Sequence, residues 1–178
     1  MTPNPPISFT ELGHDSGRGN LIGVQPFLRA ADYRSGESFT RALDTYLRAA
    51  REKGWLNSRS IVVFPEYTGT WLVAAGEKDA VTNASTLNAA MLALIRTHPL
   101  GFARRWVSAK EKGRIEAALF RLKARAMAGA YTDAFSSLAQ AYGVTITAGS
   151  ILLPGARVVD GRVEVGEEFT PLQNISAE

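Results

Sequence analysis

Three short apolar runs, Leu21–Leu28, Arg59–Phe64 and Val144–Leu153, are separated by two long segments of helical periodicity. β-branched residues bounded by Gly, Pro and Asn make each run a strand expectation. Between the first two, Phe39, Leu43, Tyr46, Leu47 and Ala50 fall on one face of a helix from about Glu37 to Lys53, and Gly54 is placed to stop it. Before the third, Ile115, Leu119, Leu122, Ala126 and Ala130 begin a repeat of three- and four-residue steps. It runs from Arg114 to Tyr142 and stops at Gly143. Strand, helix, strand in this order requires a parallel pair joined by a right-handed crossover. The class is α/β. The three strands are expected to share one sheet, with both helices on one face of it.

The rest of the chain is punctuation around that alternation. Residues 1–19 carry Pro, Gly, Ser and Asp without apolar period and read as a flexible leader. Gly13-His14-Asp15-Ser16-Gly17-Arg18-Gly19 lacks the Lys-Ser/Thr ending of a phosphate-binding loop. Residues 77–109 interrupt the alternation. Leu87, Met91, Leu94 and Ile95 give one amphipathic helix, ended at His98-Pro99 because the residue before proline avoids the helical conformation. Leu100 to Trp106 mixes Phe and Trp with two arginines and reads as a packed excursion, with a lid or a partner surface as the alternatives. Pro154-Gly155 is a turn, and Arg157 to Val165 centres on Asp160-Gly161 as a hairpin tip.

With no cysteine, the chain can form no disulfide, no thiolate metal site and no thiol nucleophile. His98 has no second ligand near it in sequence, so no metal role is expected, and no cofactor is implied. The formal charge of +3 is small and, taken as spread along the chain, speaks against a nucleic-acid partner. The most apolar window, Ala89 to Ile95, is too short to span a bilayer, and the amino terminus is unlike a secretory signal. The expectation is a soluble, cytoplasmic protein with no membrane partner.

The run Ile61-Val62-Val63-Phe64 ends at Pro65, which cannot donate to a ladder, and Glu66 follows directly. A carboxylate at the carboxyl end of a parallel strand stands where open α/β sheets place their ligands. Glu66 is therefore the candidate catalytic residue, expected to be partly buried and to line a cleft. A loop glutamate facing solvent is the competing reading.

Several stretches, in order, resemble the N-terminal part of the nitrilase or carbon–nitrogen hydrolase superfamily. They begin at Asn20-Leu21-Ile22-Gly23-Val24-Gln25-Pro26 and are strongest at Val63-Phe64-Pro65-Glu66-Tyr67. They resume at Lys123-Ala124, pass Leu138 to Val144 and Ala148-Gly149-Ser150, and reach Leu172-Gln173-Asn174-Ile175-Ser176, which looks like the family's next strand. The resemblance implies that residues 20–178 are a partial carbon–nitrogen hydrolase domain, truncated at its C-terminal side, with the N-terminal part of a four-layer α-β-β-α sandwich. Members hydrolyse nitriles, amides or carbamoyl compounds with a Glu, a Lys and a Cys, so the implied partner is a small molecule of that kind. By motif Glu66 matches the Glu, which takes the thiol proton and then activates water. Positions matching the Lys and the Cys would lie beyond Glu178. Tyr67 resembles a residue lining the substrate pocket, with a tyrosine packed on the core as the alternative. Ser150 is no substitute nucleophile, being read as lying within a strand with no base beside it.

Three hypotheses follow. The chain is part of a nitrilase-like amidohydrolase, inactive alone; or a non-catalytic binding or assembly module retaining half of the fold, open to homo-oligomerisation; or an unrelated α/β domain in which Phe-Pro-Glu is fortuitous.

Overall fold

The computed structural model describes residues 5–14, 16–77, 81 and 87–178. Three parallel strands form the central sheet in the order β1 (Leu21–Gly23), β2 (Ile61–Val63), β3 (Thr145–Thr147). Leu21, Ile61 and Thr145 are in register, as are Ile22, Val62 and Ile146. Alternation along each strand then decides the two faces. Ile22, Val62 and Ile146 are buried, and they pack with Phe39, Leu43 and Leu47 of α1 (Gly36–Glu52) and with Phe135 and Leu138 of the longest helix, Arg114–Tyr142. The opposite face carries Leu21 at 72% exposure and Ile61 at 42%. Both the shared sheet and the common face of the two helices are as the alternation predicts.

The helix boundaries have local causes. Ser35 caps α1 by accepting a hydrogen bond from the amide of Ser38, which satisfies a first-turn donor. The longest helix stops at Gly143, whose φ of 63° is the left-handed conformation that favours glycine. Between β2 and that helix, α2 (Leu87–Thr97) and α3 (Pro99–Ser108) meet at His98, with Pro99 in the first turn of α3, where its missing N–H costs nothing. The longest helix is then α4. A chain of rings crosses the core: Tyr33 stacks on Phe39 at 5.4 Å, and Phe135 meets Phe39, Phe64 and Tyr131 edge-on.

Two expectations fail. β1 ends at Gly23, five residues short of the expected Leu28. The run Val144–Leu153 is two strands. β3 ends at Thr147, and β4 (Ile151–Pro154) belongs to another sheet, paired antiparallel with β7 (Leu172–Ile175). The break has a steric reason at Gly149. A Cβ there would lie 2.2 Å from the carbonyl oxygen of Pro65 and 2.4 Å from the hydroxyl of Thr68, so the backbone passes against the Glu66 turn where only glycine fits. The hairpin of β5 (Arg157–Val159) and β6 (Arg162–Glu164) turns on Asp160 and Gly161, both at positive φ, as that dipeptide predicts. The leader makes contacts with the body: Phe9 lies edge-on to Trp55 under the ammonium of Lys53, and Arg59 donates to the carbonyl of Gly17.

Candidate functional site

Glu66 begins the turn that follows β2, at the carboxyl end of the parallel sheet. Several polar groups of this turn have partners from a distant part of the chain. The amide of Tyr67 donates to Ser150 Oγ at 2.8 Å, and the amide of Gly69 donates to the carbonyl of Ser150 at 3.0 Å. The hydroxyl of Tyr33 donates to the carbonyl of Thr68 at 2.9 Å, and the hydroxyl of Thr68 donates to that of Pro65 at 2.6 Å. Burial first, and the neighbouring Asp32 carboxylate second, push the Tyr33 phenol well above its ordinary range, so it remains a donor. Gly69 is as confined as Gly149: a Cβ on it would stand 2.6 Å from the Tyr131 ring and 3.0 Å from Ile151.

On this fixed turn the Glu66 carboxylate is held by one further group. Asn174 Nδ2 donates to Glu66 Oε1 at 2.6 Å. Asn174 sits on β7 opposite Leu152 of β4, and β4 starts one residue after Ser150. Both groups that fix Glu66 therefore come from the β4–β7 region, Ser150 just before β4 through the turn's backbone and Asn174 on β7 through the carboxylate itself. A carboxylate accepting from an amide at this distance is a charge-assisted contact. Oε2 accepts no hydrogen bond among the described residues. The arrangement can do what a general base does: one oxygen is anchored and the other is open to a proton.

The position of Glu66 agrees with the sequence expectation and its environment does not. Glu66 is exposed, not partly buried. A cavity of about 370 Å³ lies elsewhere, between α4 and β3, lined by Phe135, Gln140, Thr145, Ile146 and Val163. Tyr67 is 51% exposed with φ 63°, so it is not a core tyrosine. A non-glycine residue in the left-handed region costs on the order of 1–2 kcal/mol. Here the turn's five anchoring hydrogen bonds hold it there. Trp71, four residues on, is exposed as well. Ser150 lies in the bend between two strands, not within one, and its hydroxyl is occupied by the Tyr67 amide.

Sequence reasoning gave no role to Asn174 or Ser150. The pieces Ala148-Gly149-Ser150 and Leu172 to Ser176 were legible, but nothing local reveals that both converge on Glu66.

A second polar cluster stands apart from this turn. Glu77, whose side chain is 4% exposed, receives the ammonium of Lys123 from α4 and faces His98 Nε2 at 3.0 Å. Lys123 also donates to the carbonyl of Ala75 at 3.0 Å. Burial pushes the Glu77 carboxyl up, but the hydrogen bonds and charges of Lys123 and His98 outweigh it and hold the carboxyl below its ordinary value. His98, isolated in sequence, is therefore not isolated in space. No group of three or more His, Asp or Glu side chains able to hold a metal ion occurs among the described residues. No helix among them is long and apolar enough to cross a membrane.

No family model, no curated protein and no solved structure matches this chain.

Proposed function

We propose that this chain is the N-terminal part of a nitrilase-like amidohydrolase acting on nitrile, amide or carbamoyl C–N bonds, with Glu66 as its general base. The observation that carries the reading is the Glu66–Asn174 contact at the carboxyl end of β2, on a turn anchored by Ser150. A solvated loop glutamate needs no partner 108 residues away. The uncovered face of the central sheet supports the finer fold. Parallel sheets are covered on both faces, and Leu21 and Ile61 point where a second sheet of an α-β-β-α sandwich would lie. Tyr67, exposed beside the base, is the candidate substrate contact.

The chain has no thiol, so the covalent route of that family is closed to it alone. General-base assistance without a nucleophile is worth roughly 10²–10⁴-fold, below the approximately 10⁶-fold of typical enzymes. The purified 178-residue chain is expected to be inert toward a panel of nitriles, amides and N-carbamoyl compounds. The decisive experiment joins it, in one polypeptide or as two, to whatever the coding DNA specifies after the codon for Glu178. Activity that requires a cysteine in the added part and disappears with Glu66→Gln supports the reading. Enzyme-like turnover by the chain alone, or activity indifferent to Glu66→Gln, refutes it.

The competing reading, a non-catalytic assembly module, rests on the same exposed sheet face and the missing cysteine. It is favoured if a second chain covers Leu21 and Ile61 without contributing a nucleophile.

A further inference from the structure

The formal charge of this protein is not evenly distributed. Residues 96–125 hold nine arginines and lysines against two glutamates, a net of +7, whereas the whole chain carries +3. This stretch is the end of α2, which carries Arg96, then α3, the loop after it and the first turns of α4. Some of these cations are used internally. Arg121 is buried and bonds Glu111 and the carbonyls of Glu168 and Thr170, and Arg105 Nε pairs with Glu168 at 2.7 Å. Arg96, Arg104, Lys110, Lys112, Arg114 and Arg125 are exposed.

The outward side of α3 is apolar where a packed surface helix is ordinarily polar. Its inward side is built from Gly101, which closes on Leu122, from Phe102, which joins the small core of Val81, Leu94 and Leu119, and from Arg105. Its outward side follows the spacing i, i+3, i+7 through Leu100, Ala103 and Val107. Leu100 is 87% exposed and Val107 68%. Arg104 stands beside this stripe, and Trp106 flanks it with the Arg114 guanidinium 4.7 Å over its ring.

We propose that α3 and its basic flanks form a docking surface for an anionic phospholipid bilayer, with the helix lying in the plane of the interface. Such helices combine an apolar stripe carrying Leu or Trp with flanking Lys and Arg. At ten residues α3 cannot span a membrane, and it need not. The charge decides among occupants. A second copy on this face would bring two surfaces bearing the exposed Lys110, Lys112 and Arg114 together, and like charges at an interface oppose association. A nucleic acid would neutralise the cations but leave Leu100 and Val107 without an apolar counterpart. A bilayer supplies both, with anionic headgroups attracting each basic residue near the surface and acyl chains receiving the stripe.

The test is vesicle co-sedimentation of the 178-residue chain, using phosphatidylcholine alone and phosphatidylcholine mixed with phosphatidylglycerol. The chain should sediment with the anionic vesicles only and should be released by salt. Lys110→Gln with Lys112→Gln should weaken partitioning by about 25-fold, at roughly fivefold per surface cation. Leu100→Asp with Val107→Asp should weaken it by more than about tenfold. All four positions are exposed, so circular dichroism should show the variants folded. Fluorescence of Trp106 should shift to the blue on binding, a shift absent in Trp106→Phe. Equal sedimentation with both vesicle types overturns the proposal, as does binding indifferent to the Leu100 and Val107 changes. Failure to bind lipid while an acidic protein or an oligonucleotide binds this face overturns it too.

Discussion

Replacing Asn174 by Ala removes a 2.6 Å charge-assisted hydrogen bond to Glu66. Such bonds contribute about 1.5–3 kcal/mol when buried. Glu66 is exposed, so the expected loss of stability is smaller, about 1 kcal/mol or less, read as a lower urea midpoint. Pairing Asn174→Ala with Glu66→Ala, which leaves no acceptor, in a double-mutant cycle should return a coupling comparable to that loss. Strictly additive effects would mean that the two side chains do not meet in solution. Tyr67 offers a complementary measurement. Its backbone is left-handed, and glycine relieves that strain while losing more entropy on folding, about 0.5–1 kcal/mol. Tyr67→Gly should therefore be neutral or stabilising by up to about 1 kcal/mol, whereas Tyr67→Val, β-branched and equally strained, should destabilise. A tyrosine kept in the strained place at a candidate site is what a contact residue would look like.

At the scale of elements, the Glu77–Lys123 pair ties the segment after β2 to α4, and His98 extends the tie to the start of α3. Lys123→Met leaves a carboxylate buried with only His98 beside it and should cost about 3 kcal/mol. The double change with Glu77→Gln should recover much of that loss. Because the folded state holds the Glu77 carboxyl below its unfolded value, the stabilisation is fully present above pH 4.5. It fades as pH falls through the lower, folded value. A wild-type stability curve steeper below pH 4.5 than that of Glu77→Gln is the expected record; identical curves would refute it. The junction of β3 and β4 is the other critical join. Gly149→Ala drives a methyl into backbone at 2.2 Å and should cost about 3 kcal/mol or displace the Glu66 turn. This is also where reading from sequence reached its limit. Val144 to Thr147 and Ile151 to Leu153 both have strand character, and the Gly149-Ser150 between them reads equally as a bulge within one strand, with no mark of a change of sheet. The glycine that marks the break is intelligible only once Pro65 and Thr68 are seen against it. The α4 boundaries, by contrast, follow from local pattern and the Gly143 stop.

For the whole molecule, the uncovered face of the central sheet is the dominant fact. Leu21 and Ile61 are in register on adjacent strands, giving apolar surface that a partner or a second copy would bury. Sedimentation of the chain alone should show self-association that Leu21→Lys with Ile61→Lys reverses; a wild-type monomer would count against the sandwich reading. Folding order is a separate consequence of how Glu66 is held. Its turn hangs on Ser150, 83 residues after Tyr67, and its carboxylate on Asn174, 108 residues on. Contacts of such separation form after loop closure has been offset by the core between them. During synthesis, β2 leaves the ribosome well before either anchor exists. The Glu66 turn thus acquires its geometry among the last features of this chain, and a ribosome-bound intermediate has the residue long before it has the site.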